Sequence, residues 1–137
     1  PPHSAVRKAI LAAIMSRHHS GYQREAWAKE LVAFPLPWTV PFVAMLLGDY
    51  VREIPAVLEQ TLSAEWIPLL KKLGEDNPEW KTLHNSRTVS YWAAFYRRPC
   101  LWFDDYPGYR AAVRFGLWDE KTCPKLLARC RRMKPQR

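Results

Sequence analysis

The sequence predicts an all-α protein built as a short stack of antiparallel helix pairs. Three observations carry that reading. Apolar residues recur at helical spacing along most of the chain, and no segment alternates with period two. A tyrosine-arginine-glutamate pattern occurs twice, 28 positions apart, as Gly21-Tyr22-Gln23-Arg24-Glu25 and Asp49-Tyr50-Val51-Arg52-Glu53. Each copy follows an apolar run and a short turn and opens a second helical run, as the units of a helical repeat do.

The elements follow in order. Residues 4 to 17 read as a helix with Val6, Ile10, Leu11 and Ile14 as its apolar stripe. After a His18-His19 turn, Ser20 with Gln23 has the capping-box pattern, and Trp27, Leu31 and Phe34 carry the next stripe until Pro35 and Pro37 stop it. Thr39 is the expected cap of a helix with Pro41 in its first turn; Val43, Met45, Leu46 and Leu47 make it apolar nearly all round, hence buried. Gly48-Asp49 is the turn. A helix from Tyr50 to Leu62 follows, with Pro55 expected to kink or shorten it.

Ser63 is the expected cap of a fifth helix, with Trp66, Leu69, Leu70 and Leu73 on one face and a break from Gly74 to Pro78. Asn85 or Ser86 is expected to cap a sixth, ending near Arg98, with Val89, Trp92, Phe95 and Tyr96 inward. Residues 99 to 108 are the least regular segment. Short helices from Tyr109 to Leu117 and from Thr122 to Met133 complete the chain. The expected organisation is one domain over residues 1 to 137, with pairs at 4–34, 39–62 and 63–98 and an extension at 99–137.

The turn pattern resembles that of the HEAT-like repeat family, in which the second helix of a pair begins with an aromatic or aliphatic residue, an Arg and a small residue. Tyr22-Gln23-Arg24-Glu25-Ala26 matches it, and Tyr50-Val51-Arg52-Glu53-Ile54 matches except at the small position. The third pair, reading Thr88-Val89-Ser90-Tyr91-Trp92, lacks the Arg and Glu. The resemblance covers about residues 4 to 98 and implies a right-handed α-solenoid fragment. It assigns Tyr22, Arg24, Glu25, Tyr50, Arg52 and Glu53 to the scaffold: the tyrosines pack at the turns, and Arg24 and Arg52 pair with acids of an adjacent unit. Asp49 is the expected partner of Arg24.

Composition narrows the function. Hydrophobic residues make up 48% of the chain and aromatics 13%, which excludes a disordered chain, and the seven Trp are expected in the core or as interface anchors. No apolar run reaches the roughly 20 residues that span a bilayer. The opening Pro1-Pro2-His3-Ser4 is unlike a secretory signal, and without an initiating Met the chain is expected to come from a longer protein. Three cysteines, Cys100, Cys123 and Cys130, form no Cys-x-x-Cys pair and fit a reducing, cytoplasmic setting. No metal site or cofactor is expected, since His3, His18, His19 and His84 lack ligand spacing and the five glycines form no phosphate-cradling loop.

Two segments outside the repeat are the candidate partner-binding sites. Residues 121 to 137 hold seven basic residues and no acid, leaving +1 of the total +8 for residues 1 to 120. Their helix places Leu126, Leu127, Cys130 and Met133 on one stripe, with Lys125, Arg129, Arg131, Arg132 and Lys134 around it. The stripe is expected to cap the stack, and the cations to meet acidic or nucleic-acid partners. Trp102-Phe103-Asp104-Asp105-Tyr106 offers aromatic anchors around two carboxylates. A general acid and base there, or a base stacked between rings as in HEAT-like DNA glycosylases, is the enzymatic reading; adjacent Asp residues on a loop more often form turns. The leading expectation is a protein-interaction module, ahead of nucleic-acid binding and of a nucleic-acid enzyme.

Overall fold

The computed structural model describes residues 3–97, 101–118 and 124–132. Among these residues every regular element is a helix. The α-helices are α1 (His3–Met15), α2 (Gly21–Leu31), α3 (Val40–Leu47), α4 (Glu53–Thr61), α5 (Trp66–Asp76), α6 (Pro78–Tyr91), α7 (Pro107–Arg114) and α8 (Pro124–Arg132). A π-helical turn, Trp92–Tyr96, continues α6, and a 3₁₀ turn, Phe103–Asp105, precedes α7. No described helix is long and apolar enough to cross a membrane.

The packing has two sides. Along one, α2 lies between α1 and α4, and α4 lies between α2 and α7. On the other, α3 meets α5 and α5 meets α6, while α3 also touches α2, α4 and α7. The core runs between them through Leu31, Val43, Leu47, Ile54, Leu58, Trp66 and Leu70 into Trp92, Phe103, Tyr106 and Phe115. Two of the widest rings are buried with their polar ends satisfied. Trp66 Nε1 donates to the Val32 carbonyl at 3.1 Å, and Trp92 Nε1 to the Leu101 carbonyl at 2.8 Å.

Several local expectations give way to different physics. Ser20 and Thr39 occupy the positions before α2 and α3 but make no side-chain cap bond. The buried Thr39 hydroxyl instead ties the preceding turn, accepting from the Leu36 N–H at 3.1 Å and lying 2.6 Å from the Phe34 carbonyl. Of the two effects expected of Pro55, shortening is the one found: α4 begins at Glu53 rather than Tyr50, which puts the missing Pro55 N–H in the first turn, where none is needed. Gly74 stays inside α5, buried where Lys81 and Leu117 pass over it. Pro78 starts α6, so His84, Asn85 and Ser86 lie in mid-helix rather than at a cap.

The end of α7 is a Schellman motif. The Leu117 N–H reaches the Ala112 carbonyl at 2.8 Å and the Gly116 N–H the Val113 carbonyl at 3.3 Å, with Gly116 at φ +71°. That left-handed conformation suits glycine, and it turns Leu117 and Trp118 back into the core.

Candidate functional site

The two signature turns are joined by one side chain. Arg24 donates from Nε to Asp49 Oδ2 at 2.8 Å and from Nη2 to Oδ1 at 3.1 Å, and its Nη1 donates to the carbonyls of His18 and His19 at 3.0 and 2.9 Å. The Arg24 and Asp49 side chains are only 9% and 10% exposed. Asp49 also accepts the Val51 N–H at 3.0 Å. The expected Arg24–Asp49 pairing is therefore present, as a two-pronged fork that links the α1–α2 turn to the α3–α4 turn. Hydrogen bonding to Asp49 raises the Arg24 pKa above its ordinary value, against the opposing effect of burial.

The second copy behaves differently. Arg52 is exposed, meets the neighbouring Glu53 at 3.7 Å and lies over the Tyr96 ring at 5.6 Å. Asp49 follows Arg24 by 25 positions, and 25 positions after Arg52 stands Asn77, which lacks the charge. The turn is held instead by Tyr96, whose hydroxyl donates to the Tyr50 carbonyl and accepts the Arg52 N–H at 3.0 Å. Tyr22 does not pack at its turn, being 87% exposed, and Tyr50 is half-exposed beneath the Arg24 guanidinium at 5.5 Å. Glu25 lies 3.8 Å from Lys29 one turn along α2.

Beside the joined turns lies a cleft of about 330 Å³. One wall is the α1–α2 turn with Arg17, His18 and His19; another is the α3–α4 turn; the third is α6 with Trp80, His84, Arg87 and Tyr91. His84 is buried against Trp80, with ring centroids 5.1 Å apart. Gly48 makes room for it, since a Cβ there would stand 2.7 Å from the imidazole. Desolvation, aided by Arg87, lowers the His84 pKa to about 4, so the ring is neutral at pH 7. Its Nε2 and both polar atoms of the buried Asn85 carboxamide have no hydrogen-bond partner among the described residues.

A second surface is the outer face of α1. Ala9, Ala12 and Ala13 face the core, while Ile10, Leu11 and Ile14 are 46, 47 and 63% exposed. At about 100° per residue the centres of the two arcs lie roughly 150° apart, so the large aliphatics point nearly straight away from the core. This reverses the expectation that they form the buried stripe. Alanine lets α2 approach closely, and the aliphatics are left outside. A groove beside them is lined by Lys8, Leu11, Gln23, Ala26, Trp27 and Glu30, with Lys8 Nζ 2.9 Å from Glu30 Oε2.

The expected aromatic anchors are mostly core. Phe103 and Tyr106 are 1% exposed, with Phe103 edge-on to Trp92 at 5.3 Å and 4.5 Å from Tyr109. Burial pushes the Tyr106 hydroxyl pKa well above its ordinary value. Their spacing, continued by Tyr109, is three residues, which the 3₁₀ turn and α7 convert into one inward face. Only Trp102, Asp104 and Asp105 of that segment are exposed.

The final helix rests on this 3₁₀ turn. Arg131 Nε lies 3.4 Å from Asp104 Oδ1, and its Nη2 lies 3.4 Å from the Tyr109 hydroxyl. Cys130 is buried, which raises its thiol pKa, whereas Lys125, Arg129, Arg131 and Arg132 are exposed. The loop and helix thus lie together, but an acid of one is spent on a base of the other. Cys100, Lys121, Cys123, Met133, Lys134, Arg137 and the side chains of Leu126 and Leu127 lie outside the described residues. Among the described residues no three His, Cys, Asp or Glu side chains gather as a metal site.

No protein-family model, curated protein or solved structure matches the chain.

Proposed function

We propose that this chain is a HEAT-like protein-interaction module whose binding face is the outer side of α1 with the α1–α2 groove. The observation that carries the reading is the outward direction of Ile10, Leu11 and Ile14. A helix that buries alanines and exposes its largest aliphatics is apolar on both sides, as in a stack that continues onto another helix. The occupant is an amphipathic helix of a partner chain laid along α1 and α2, with apolar positions on the aliphatics and Trp27. Burying the exposed halves of three aliphatics is worth about 1 kcal/mol each, roughly a hundredfold in affinity together.

The repeat reading draws support from the packing of like against like. In the first two pairs, α2 lies on α4, second helix on second helix. On the other side α3 lies on α5, first helix on first helix. The third pair departs, because α7 occupies the place beside α4 that α6 would take. That is also where the signature fades in the sequence.

The test is the double variant Ile10→Asp/Ile14→Asp. Both residues are exposed, so its denaturation midpoint should stay near wild type. A protein captured by the wild-type chain from an extract of its source cells should be lost by this variant. Retention of every captured protein by a correctly folded variant would sink it.

A further inference from the structure

The cleft between the signature turns and α6 carries positive charge that the chain does not use. Of its three arginines, Arg24 is neutralised by Asp49, whose carboxylate is taken up by that fork and by Val51. The side chains of Arg17 and Arg87 are exposed and make no ion pair or hydrogen bond with another described residue. Beside Arg17, His18 and His19 stack at 4.3 Å. His18 Nδ1 accepts the Ser20 N–H at 3.0 Å, so the neutral ring carries its proton on Nε2 and offers a further donor.

Aromatic surface continues from the rim of the same cleft. Tyr50 and Tyr91 line it with centroids 6.0 Å apart, and Phe95 extends them at 5.9 and 6.5 Å. Phe95 is 55% exposed and Tyr50 47%. Rings left in water next to unpaired guanidiniums match what a phosphate ester with a flat, aromatic base requires: cations for the phosphate and π-faces for the base. The cleft volume is at the small end of ligand sites, enough for a phosphate and sugar with the base outside on the rings. A protein helix would need an extended aliphatic lining, and here Met45 stands alone among arginines, histidines and aromatic rings.

We propose that this cleft binds a nucleoside phosphate, with Arg17 and Arg87 on the phosphate and the base stacked on the Tyr50–Tyr91–Phe95 rim. The ligand is a free nucleotide or one unit of a single strand. The site is separate from the α1 face, so each reading stands or fails without the other.

The experiment is fluorescence anisotropy of a labelled eight-residue oligouridylate with the full chain, competed by unlabelled octamer, by UMP and by inorganic phosphate. Two phosphate contacts predict about a sevenfold loss of affinity between 50 and 200 mM salt. Arg17→Gln/Arg87→Gln should weaken binding at least tenfold and flatten that dependence. Phe95→Ala should weaken it at least fivefold and leave the salt dependence unchanged. Displacement by UMP at the octamer's own concentration identifies a nucleotide site, and displacement only by the octamer identifies a strand site; both support the proposal. It is overturned if the octamer fails to bind at about 100 μM protein, a concentration at which even non-specific nucleic-acid binding is detected. It is overturned equally if inorganic phosphate competes as well as UMP. Loss of binding in Lys125→Gln/Arg129→Gln, with none in Arg17→Gln/Arg87→Gln, would assign the binding to the basic helix and overturn it too.

Discussion

Replacing Arg24 should do more damage than replacing any other arginine whose side chain is described. Arg24→Met removes both prongs on Asp49 and the two bonds to the His18 and His19 carbonyls. Asp49, 10% exposed, is left with the Val51 N–H and no cation. Breaking a buried pair by removing one partner costs about 3–5 kcal/mol, because the remaining charge stays desolvated. The pair sits at the rim of the fold rather than at its centre, so the lower figure applies, about 3 kcal/mol. Asp49→Leu alone should cost a similar amount. The double variant Arg24→Met/Asp49→Leu should recover roughly 2 kcal/mol of the summed losses, since neither charge is then stranded. The assay is urea unfolding of all four proteins, followed by circular dichroism and analysed as a double-mutant cycle. Single-variant losses below about 1 kcal/mol, or strict additivity, would instead show Arg24–Asp49 to be an ordinary surface pair.

Three further outcomes follow from the same geometry. His84 has a folded-state pKa of about 4 against an ordinary 6.5, so the stability it carries is complete above pH 6.5 and is lost as pH falls towards 4. That loss amounts to about 3 kcal/mol by urea titration and should be absent in His84→Leu; parallel pH profiles for the two proteins would contradict it. Gly48→Ala places a methyl 2.7 Å from the buried His84 ring and should cost about 1–3 kcal/mol, and an unchanged unfolding midpoint would count against that packing. Gly116→Ala, at φ +71° and with its Cβ 3.2 Å from Lys71 Cβ, should cost about 1–2 kcal/mol; a stabilised variant would mean that the α7 terminus is not left-handed.

How much of this was legible in the sequence depended on how local its cause was. Helical periodicity identified the helices, and the turn pattern identified Arg24 and Asp49 as partners, because each signal lies within a few residues of a turn. Periodicity does not say which apolar arc faces in. In α1 the small residues won, since Ala9, Ala12 and Ala13 permit a close approach that Ile10 and Ile14 would block. In sequence Pro78 marks a break, yet proline also opens helices, and it is as a helix start that it places the first half of α6 and with it His84. Phe103 and Tyr106 lie in a segment without helical period, since a three-residue spacing becomes an inward face only once a 3₁₀ turn forms. The cleft had no local signal. Its walls come from residues 17–19, 48–50 and 80–91, which only the packing of α6 against the turns brings together.

If the outer face of α1 is a binding face, a photocrosslinking amino acid placed there will capture its occupant. Benzoylphenylalanine at position 14, compared with the same group at the exposed position 72 on α5, would be irradiated in an extract of the source cells. A discrete adduct is expected from position 14, absent from position 72 and abolished by Ile10→Asp. Equal labelling from both positions, or none from position 14, would contradict it.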